Sequence, residues 1–453
     1  MRIECLIAEI GSTTTVVNAF ELGSTPKLLG KGVSQTTVDT DVRDGLNAAI
    51  ANLEGQWECG TLTYDVMLAA SSAAGGLRMT VSGLVYEMTV RAAKEAALNA
   101  GANLHLVTAG QLEQDELKEI KRIKPNIILV AGGTDFGDWR TAYQNLLALA
   151  DLQLDVPILY AGNCANHTRI QHWLETTPQA EYISLVENVY PRVDYLNIEP
   201  LRRKIYETFE AHIVHAKGMA HIKDMVSGHI MPTPGSVMEA AMLLHDMIGN
   251  LVVIDVGGAT SDVHSVTHPS EEYRVYHEGE AREKRTVEGD LGVFINFKNV
   301  LDSMNRTALM TTLNISETEL LSLIEDYAYL PQSNLAKSLV YEITRTCVQR
   351  ALDRHVGDLR KVYTSNGVKM IPEGRDLTQV KTIILTGGAL VHLDHTEKII
   401  QDYLASNPHK LIPTHPVKIL KDKDYILSSI GVLSLTHRES AKMLLKQSLK
   451  LEG

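Results

Sequence analysis

The sequence predicts a two-lobed α/β protein that carries an inserted α/β subdomain. Apolar runs of strand length alternate with amphipathic stretches of helix length along most of the chain, which is the pattern of an α/β fold. The segment IAEIGSTTTVV at residues 7–17 aligns with VIDVGGATSDV at residues 253–263. This echo indicates two lobes that each open with the same hairpin. Extra strand–helix units between about residues 110 and 230 predict the insertion.

The predicted elements follow the hydrophobic pattern in chain order. Short apolar runs predict strands at residues 5–10, 16–20, 66–70, 104–107, 127–131, 158–161, 251–255, 263–266 and 382–386. Amphipathic stretches predict helices at residues 85–99, 235–247, 335–355 and 397–405. These elements divide the chain into a first lobe (1–110), an inserted α/β subdomain (111–230), a connecting helix of the first lobe (231–250) and a second lobe (251–453).

Composition narrows the function classes. The 453 residues are 44% hydrophobic and 22% charged, as is ordinary for a soluble globular protein. The net charge of -12 argues against a nucleic-acid partner and against an anionic membrane surface. There is neither a signal peptide nor a run of about 18 apolar residues, so no membrane span is expected. The scattered cysteines Cys5, Cys59, Cys164 and Cys347 suit a reducing cytosol and offer no zinc or iron–sulfur framework.

The second hairpin, at residues 251–266, has the residues of a phosphate-binding turn. A buried strand ends at Asp255, and Gly257 and Gly258 then allow the backbone to turn and approach a ligand closely. Beyond Ala259, the hydroxyls of Thr260 and Ser261 can donate hydrogen bonds, and the N–H groups of such a turn can form an anion-binding nest. An ordinary β-hairpin would explain one such turn, but two matched turns make that explanation much weaker.

The first hairpin repeats this arrangement with Gly11, Ser12, Thr13, Thr14 and Thr15 in the turn. Two such hairpins facing each other would clamp a polyphosphate. Each also carries acids, which suit a phosphate site only when a divalent cation lies between them. Glu9, Asp255 and Asp262 are therefore candidates for catalysis and for holding Mg²⁺, directly or through its waters.

A third glycine turn completes the candidate nucleotide site. The segment VKTIILTGGALVHL at residues 380–393 is a strand, a turn and a helix start, and Gly387, Gly388 and Ala389 would let an adenosine lie on the backbone. The sequence contains no GxxxxGK[ST] phosphate loop, no GxGxxG dinucleotide fingerprint, no HExxH and no GxSxG motif. A nucleotide would therefore bind in the clamp style.

These elements resemble the superfamily of actin, Hsp70 and the sugar kinases. In that superfamily a phosphate hairpin, a connecting helix, a second phosphate hairpin, a second connecting helix and an adenosine motif follow in this order. Here the corresponding segments are residues 9–15, 235–247, 255–262, 335–355 and 386–389. The resemblance implies an ATPase that uses Mg²⁺. The superfamily usually has Asp at the position of Glu9, and the longer side chain puts a general-base role there in doubt.

A narrower resemblance runs nearly the full chain. The motifs SSAAGGLRM (71–79), AGGTD (131–135), PTPGSVMEAA (232–241) and RTVEGDLG (285–292) look like the glutamate mutase accessory protein family, called MutL or GlmL. That family is unrelated to the mismatch-repair protein of similar name. The resemblance implies a cytoplasmic, ATP-dependent protein that frees an adenosylcobalamin-dependent mutase of damaged cofactor. No DxHxxG motif is present, so we do not expect this chain to bind cobalamin through that motif.

Other residues carry weaker candidates. Glu239, Glu288 and Asp290 could bring an acid to the site, although a solvated turn explains the last two equally well. AGGTD and AGNCAN (161–166) both end strands, where ligands bind in open α/β sheets, but ordinary turns with Asp135 or Asn166 as helix caps are favoured. SSAAGGLRM is likewise either a turn or a second anion loop. The dense histidines, for which ordinary surface or interface positions are favoured, are His212, His215, His221 and His229.

Two other functions remain open from the sequence. A small-molecule kinase on the same fold would need an acid to activate a substrate hydroxyl, and Asp135, Asp290 or Glu288 are candidates. A non-catalytic actin-like scaffold would assemble in the presence of ATP, which the net charge of -12 mildly opposes through self-repulsion.

Overall fold

The computed structural model describes residues 1–37, 40–57, 60–72, 77–212, 222–277, 280–328, 331–364 and 367–451. The chain divides into two compact units. Unit 1 comprises Met1–Glu239, Glu278–Lys284 and Ser428–Ala441, and unit 2 comprises Ala240–His277, Arg285–Leu427 and Lys442–Gly453.

The described strands and helices alternate along the chain. The strands are β1 (Arg2–Ile10), β2 (Thr14–Glu21), β3 (Lys27–Gln35), β4 (Thr63–Ser71), β5 (Leu77–Gly83), β6 (Ala102–Ala109), β7 (Ile127–Val130), β8 (Ile158–Tyr160), β9 (Ile183–Leu185), β10 (Ile230–Pro232), β11 (Leu251–Val256), β12 (Ser261–Val266), β13 (Glu283–Glu288), β14 (Asp358–Thr364), β15 (Gly367–Glu373), β16 (Thr382–Thr386) and β17 (Lys418–Lys421). The helices are α1 (Val42–Gln56), α2 (Arg91–Asn99), α3 (Gln114–Ile123), α4 (Arg140–Ala150), α5 (His167–Leu174), α6 (Ile198–His212), α7 (Ile222–Met225), α8 (Thr233–Ile248), α9 (Phe297–Asp302), α10 (Arg306–Leu313), α11 (Glu317–Glu325), α12 (Asn334–His355), α13 (Gly388–His392), α14 (Thr396–Ser406), α15 (Leu427–Ser434) and α16 (Arg438–Ser448).

Unit 1 contains a mixed sheet with the strand order β10-β4-β1-β2-β3. In it β1 runs antiparallel to β2 and parallel to β4. The last six residues of β1 are all buried, because a central strand of such a sheet is covered on both faces. The turn that follows, at residues 11–13, therefore lies at the end of a buried strand.

Unit 2 repeats this sheet in the order β13-β12-β11-β16-β17. There β11 runs antiparallel to β12 and parallel to β16. In each sheet three strands come first, and a helix then leads to the fourth strand: α1 precedes β4, and α12 is the last helix before β16. The pseudo-duplication predicted from the echo between residues 7–17 and 253–263 is confirmed.

A second sheet in unit 1 is parallel throughout, with the order β6-β5-β7-β8-β9. It lies between β4 and β10 in the chain, which confirms that an α/β subdomain is inserted into the first repeat. This sheet includes β5 and β6, so it begins before residue 111, where the sequence analysis starts the subdomain. Hydrophobic periodicity finds strands, but it does not show which sheet a strand joins.

The predicted elements all have counterparts. Each predicted strand overlaps an observed one, and residues 235–247 and 335–355 correspond to α8 and α12. Several strands were not predicted, among them β3 and β13. Most residues of these two strands are only partly buried, because both strands lie at sheet edges where one side lacks a neighbouring strand.

Candidate functional site

The second hairpin, formed by β11 and β12, is the centre of the candidate site in unit 2. Its register pairs Val256 with Ser261 and Asp255 with Asp262. The Gly257 amide donates to the Thr260 carbonyl oxygen at 2.9 Å and closes a tight turn. The turn residues 257–260 are half-buried, so the turn remains accessible at the end of a buried strand.

The loop after β13 donates hydrogen bonds to the carbonyl groups of this turn. The amides of residues 293–295 donate to the carbonyl oxygens of Gly257 and Gly258 at 2.8–3.1 Å. The side-chain Nδ2 of Asn296 donates to the Ala259 carbonyl oxygen at 2.7 Å. Three consecutive carbonyl groups of the turn are therefore satisfied by protein donors.

The amide groups of the same turn are not satisfied in this way. Among the described residues, the N–H groups of Gly258 and Ala259 have no hydrogen-bond partner. Consecutive N–H groups without partners in a turn form a concave site for an anion. The turn therefore has the donors that a phosphate requires.

The first hairpin, formed by β1 and β2, has the same turn. The Gly11 amide donates to the Thr14 carbonyl oxygen at 2.9 Å, the distance found at the second hairpin. The N–H groups of Ser12 and Thr13 likewise have no hydrogen-bond partner among the residues that the structure describes. The two segments that are similar in sequence therefore also have the same pattern of backbone hydrogen bonds.

The hydroxyl groups of the second hairpin have partners within the protein. The Ser261 hydroxyl is buried and donates to the Leu291 carbonyl oxygen at 2.6 Å. The Thr260 hydroxyl donates to Asp262 Oδ2 at 3.1 Å. The sequence predicts that these hydroxyls donate to a phosphate, but in the structure both protons go to protein oxygens. The anion donors of the turn are its backbone amides.

Asp262 is one half of a buried ion pair with Arg285. Arg285 Nε donates to Asp262 Oδ1 at 2.8 Å, and Nη2 lies 2.5 Å from the same oxygen. Both side chains are almost fully buried, with 1% and 5% exposed. Asp262 therefore has protein partners on both of its oxygens, and its geometry is that of a residue that orients Thr260.

Asp255 lies directly opposite Asp262 and next to the predicted adenosine turn. Parallel pairing of β11 and β16 places Asp255 beside Thr386, which precedes Gly387. Gly387 has φ +89, and a Cβ there would lie 2.6 Å from Asp255 Oδ1 and 2.6 Å from the Val256 amide nitrogen. Glycine is required at this position because the backbone passes directly against the end of β11.

The remaining residues of the adenosine turn begin a short helix. Gly387 is the N-cap of α13, whose first residues are Gly388 and Ala389. A Cβ added at Gly388 would meet nothing within 4 Å, so open space lies on that side of the turn. The structure thus brings the second hairpin and the predicted adenosine turn together within unit 2.

Glu9 has a defined set of partners in unit 1. Its Oε1 accepts hydrogen bonds from the Ser429 amide at 3.0 Å and from the Ser429 hydroxyl at 2.5 Å. Asn18 Nδ2 lies 3.4 Å from the same oxygen. Glu9 is therefore oriented by the first turn of α15, where a carboxylate is favourable.

Thr15 has a structural role at the first hairpin. Its Oγ1 lies 2.9 Å from Thr36 Oγ1, and both side chains are buried. The Thr36 amide also donates to the Thr13 carbonyl oxygen at 3.0 Å. These contacts fasten the first turn to the residue that follows β3.

Glu239 belongs to a buried polar cluster of unit 1. Arg202 Nε lies 3.4 Å from its Oε1, and the Tyr206 hydroxyl donates to the same oxygen at 3.3 Å. Burial raises the pKa of the Glu239 carboxyl, and the charge of Arg202 opposes that rise. These contacts explain the conformation of Glu239 without a ligand.

Glu288 and Asp290 both lie near Arg354. Glu288 is almost fully buried and accepts a hydrogen bond from Arg354 Nη1. Burial raises the pKa of the Glu288 carboxyl, and Arg354 offsets part of that rise. Asp290 is 60% exposed and lies 3.7 Å from Arg354. Of these two acids, Asp290 is the one accessible to water.

The turns that follow β7 and β8 are held together by their own polar side chains. Asp135 Oδ1 accepts from the Cys164 amide at 3.0 Å and from Asn188 Nδ2 at 2.8 Å. Asn166 Nδ2 donates to the Tyr160 hydroxyl at 2.7 Å. These contacts give both residues structural partners, but the predicted helix caps are not observed: Trp139 is the N-cap of α4, and Asn166, the N-cap of α5, makes no side-chain hydrogen bond to that helix.

Some sequence candidates lie outside the described residues. Four residues of SSAAGGLRM, at 73–76, are among them, as are His215, His221 and the side chain of His212. His229 is described, and its Nδ1 lies 3.3 Å from Glu210 Oε2.

Sequence reasoning missed Arg285, Asn296 and Ser429. RTVEGDLG contains the candidate acids Glu288 and Asp290, and its first residue is the arginine that pairs with Asp262. The charge of Arg285 does not single it out, because its stretch REKRTVEGD at residues 282–290 is rich in charged residues; the available signal is that Arg285 lies 23 positions from Asp262 in the chain. Ser429 has no comparable signal, because it is 420 positions from Glu9.

The described residues fit a nucleotide better than a dedicated metal site. Among them, no group of three or more His, Cys, Asp or Glu is arranged to hold a metal ion. Mg²⁺ commonly binds through one or two carboxylates, waters and substrate phosphates. Asp255 at the second hairpin and Glu9 at the first are each a single carboxylate, so either one would hold Mg²⁺ only together with waters and substrate phosphates.

No helix in the described part of the chain combines the length and apolar character that crossing a bilayer demands.

Comparisons with known proteins give one family. The model of the MutL protein family matches residues 5–449. "Protein MutL" of Clostridium tetanomorphum is 34% identical over 461 residues, which cover 98% of this chain and 98% of that protein. Among solved structures, acetone carboxylase in a nucleotide-free form is 11% identical with a TM-score of 0.40, over 95% of this chain and 70% of that one. Diol dehydratase-reactivating factor, also nucleotide-free, is 10% identical with a TM-score of 0.39, over 96% of this chain and 99% of that one. On the two sequence matches, which span nearly its whole length, the chain belongs to the MutL protein family.

Proposed function

We propose that this protein is an ATP-dependent accessory protein that reactivates an adenosylcobalamin-dependent mutase, such as glutamate mutase or an aminomutase. One observation carries the nucleotide part of the proposal: the same tight turn occurs twice, each time with two backbone N–H groups that lack a partner among the described residues. Membership of the MutL protein family supports the mutase part.

Named residues would contact each part of the nucleotide. The amides of Gly258 and Ala259 would donate to phosphate oxygens, as would those of Ser12 and Thr13. The backbone at residues 387–389 would contact adenosine, since glycine allows a flat ring to approach closely.

Mg²⁺ would offset the repulsion between the phosphates and the two carboxylates, Asp255 and Glu9. Its contacts would be direct or through water. Hydrolysis of the bound ATP would supply the free energy for a change of conformation that acts on the partner enzyme.

The deciding experiment is ATP turnover by the purified protein with Mg²⁺. It is measured alone, with an active mutase, and with the same mutase inactivated by cobalamin that has lost its adenosyl group. We expect the inactive mutase to stimulate hydrolysis and to recover activity when ATP and fresh adenosylcobalamin are present. Turnover that ignores the mutase but responds to a small hydroxylated metabolite would replace this proposal with a kinase. ATP-dependent assembly without turnover would replace it with a scaffold.

A pair of glycine variants tests the adenosine turn. Gly387→Ala should weaken ADP binding about tenfold, which corresponds to about 1.4 kcal/mol, because the new Cβ meets Asp255 and the end of β11. Gly388→Ala is the matched control, since a Cβ there meets nothing within 4 Å. Calorimetric titration of ADP into both variants makes the comparison. Equal affinities would remove residues 387–389 from the proposed site.

A further inference from the structure

The contacts that link Arg285, Asp262 and Thr260 form a chain that ends at the second hairpin; we call it the Arg–Asp–Thr chain. We propose that Arg285 is a positioning residue of the nucleotide site. Through Asp262 it holds Thr260 so that the hydroxyl oxygen coordinates a divalent cation or accepts a hydrogen bond from a water bound to that cation. The inference rests on the proposed function, and it adds Arg285 and a new role for Thr260 to it.

The first link of the chain is rigid and shielded from water. Arg285 directs Nε and Nη2 at Asp262 Oδ1, at 2.8 Å and 2.5 Å. With 1% and 5% of the two side chains exposed, water has little access to either charge. Two charge-assisted contacts to one oxygen fix the orientation of the carboxylate. Its second oxygen, Oδ2, is thereby directed at the turn.

The second link determines whether the threonine hydroxyl acts as a hydrogen-bond donor or as an acceptor toward a ligand. Thr260 Oγ1 donates its single proton to Asp262 Oδ2 at 3.1 Å. A hydroxyl has one proton and two lone pairs, so the Thr260 oxygen then has acceptor capacity only. A phosphate oxygen needs a donor, whereas Mg²⁺ and its waters need acceptors. The chain therefore makes Thr260 a ligand for a cation and unsuited to contact a phosphate oxygen.

The backbone of the same turn presents hydrogen-bond donors, whereas the Thr260 oxygen is an acceptor. The amides of Gly258 and Ala259 are donors without partners among the described residues, and they suit an anion. Acceptor and donor groups are thus adjacent on one turn. That arrangement matches a phosphate with a divalent cation bound to it, and a threonine hydroxyl on Mg²⁺ beside amides on phosphate is the same combination that phosphate loops use.

The first hairpin lacks this chain. Its register pairs Glu9 with Val16, so an apolar residue stands where the second hairpin has Asp262 opposite Asp255. Two otherwise matched turns therefore differ at this carboxylate. The difference assigns the contact between a threonine hydroxyl and the cation to the second hairpin.

A buried ion pair is by itself weak evidence of a contribution to stability. Burying two charges costs desolvation energy that their attraction often only balances, and apolar pairs of similar volume can replace buried ion pairs without loss of stability. A paired replacement can therefore remove the Arg–Asp–Thr chain while the fold is kept. The effect of the chain on the orientation of Thr260 can then be measured separately from its effect on the stability of the fold.

The test compares the affinity for ADP with Mg²⁺ to the affinity for ADP with a chelator, by calorimetric titration. The ratio of the two dissociation constants is the magnesium enhancement. Thr260→Val should lower the enhancement at least fivefold and leave the affinity for metal-free ADP within twofold of the original. Thr260→Ser should keep the enhancement, because serine retains the hydroxyl. The double variant Arg285→Met with Asp262→Leu should lower it as Thr260→Val does.

The thermal unfolding midpoint of each variant is measured as well. If the double variant does not fold, the magnesium enhancement of Thr260→Val decides whether Thr260 binds the cation. A folded double variant with the original enhancement would show that Arg285 is structural only, and an original enhancement in Thr260→Val would remove Thr260 from cation binding. Wild-type protein that binds ADP without any magnesium enhancement would overturn this inference and leave the proposed function standing. Wild-type protein that binds no ADP would overturn both.

Discussion

At the scale of single residues, His264 is the most unusual group that the proposed chemistry does not use. It lies on β12, is fully buried, and neither ring nitrogen has a hydrogen-bond partner among the described residues. Burial lowers the pKa of His264 well below 6.5, and the charge of Arg285 lowers it further. The ring is therefore neutral in the folded protein at neutral pH.

This neutral ring predicts a loss of stability in mild acid. The unfolded chain binds the proton of His264 below about pH 6.5 and the folded protein does not, so the free energy of unfolding falls as the pH drops through that value. The slope approaches about 1.4 kcal/mol for each pH unit. His264→Leu should flatten this acid-side loss.

Urea denaturation between about pH 7 and about pH 5 measures the slope for each protein. His172→Gln is the control, because His172 is 84% exposed and should leave the slope unchanged. A His264→Leu protein with the wild-type slope would assign the acid sensitivity to other groups.

The residues of the two hairpins could be predicted from the sequence more easily than the residues that they contact. The glycines and acids of both hairpins stand out by their pattern, and the structure places Gly11 and Gly257 in equivalent turns. The partners of the acids did not stand out. Asp262 was predicted to bind Mg²⁺, yet the structure pairs it with Arg285, and only the folded sheet brings these two together.

At the scale of elements, α8 and α15 pack closely within unit 1. Ser236 Oγ lies 2.7 Å from Ser428 Oγ. A Cβ added at Gly431 would collide with the Ser236 carbonyl oxygen. The small residues of PTPGS therefore serve a close approach of two backbones, which is a structural reason for part of this motif.

This approach predicts the cost of a single methyl group. Gly431→Ala should lower the free energy of unfolding by about 1–3 kcal/mol, because a packed interface cannot accept the added atom without shifts. Gly55→Ala is the matched control in α1, where a Cβ meets nothing within 4 Å. The control should raise the free energy of unfolding by about 0.5–1 kcal/mol, since alanine favours a helix over glycine. Urea denaturation of both variants gives the comparison, and equal signs would contradict the close approach.

Element prediction succeeded where the pattern was long and apolar. The stretch at 335–355 became α12 almost unchanged, because a connected amphipathic run over many turns is a strong local signal. It failed for β3 and β13, whose mixed composition is stabilised by pairing with β2 and β12. Pairing is a property of the sheet and is not visible in a short edge strand.

At the scale of the whole molecule, each unit contains a buried cysteine that can report its unfolding. Cys5 lies in β1 of unit 1, and Cys347 lies in α12 of unit 2. Burial raises the pKa of both thiols to about 12. Both are therefore protonated and inaccessible in the folded protein, and thiols in that state react slowly.

We expect both cysteines to resist a short pulse of N-ethylmaleimide in native buffer and to react fully in concentrated urea. Peptide mass spectrometry after pulses along a urea gradient gives a separate unfolding curve for each unit. The half-buried Cys164 is the internal comparison and should react before the other two. Rapid labelling of Cys5 or Cys347 without urea would contradict the burial of β1 or α12.

The sequence by itself determined the α/β class, the repeated hairpins, most of the strands and helices, and the resemblance to the MutL family. Each of these depends on patterns within a few dozen residues, or on motifs whose order survives in the chain. Only the tertiary structure decided which strands share a sheet, so that β5 and β6 joined the inserted one. It also decided that Glu9 meets Ser429 across 420 positions and that Asp262 meets Arg285 across 23. Such contacts follow from the packing of distant segments, and local periodicity contains no information about which distant segments pack together.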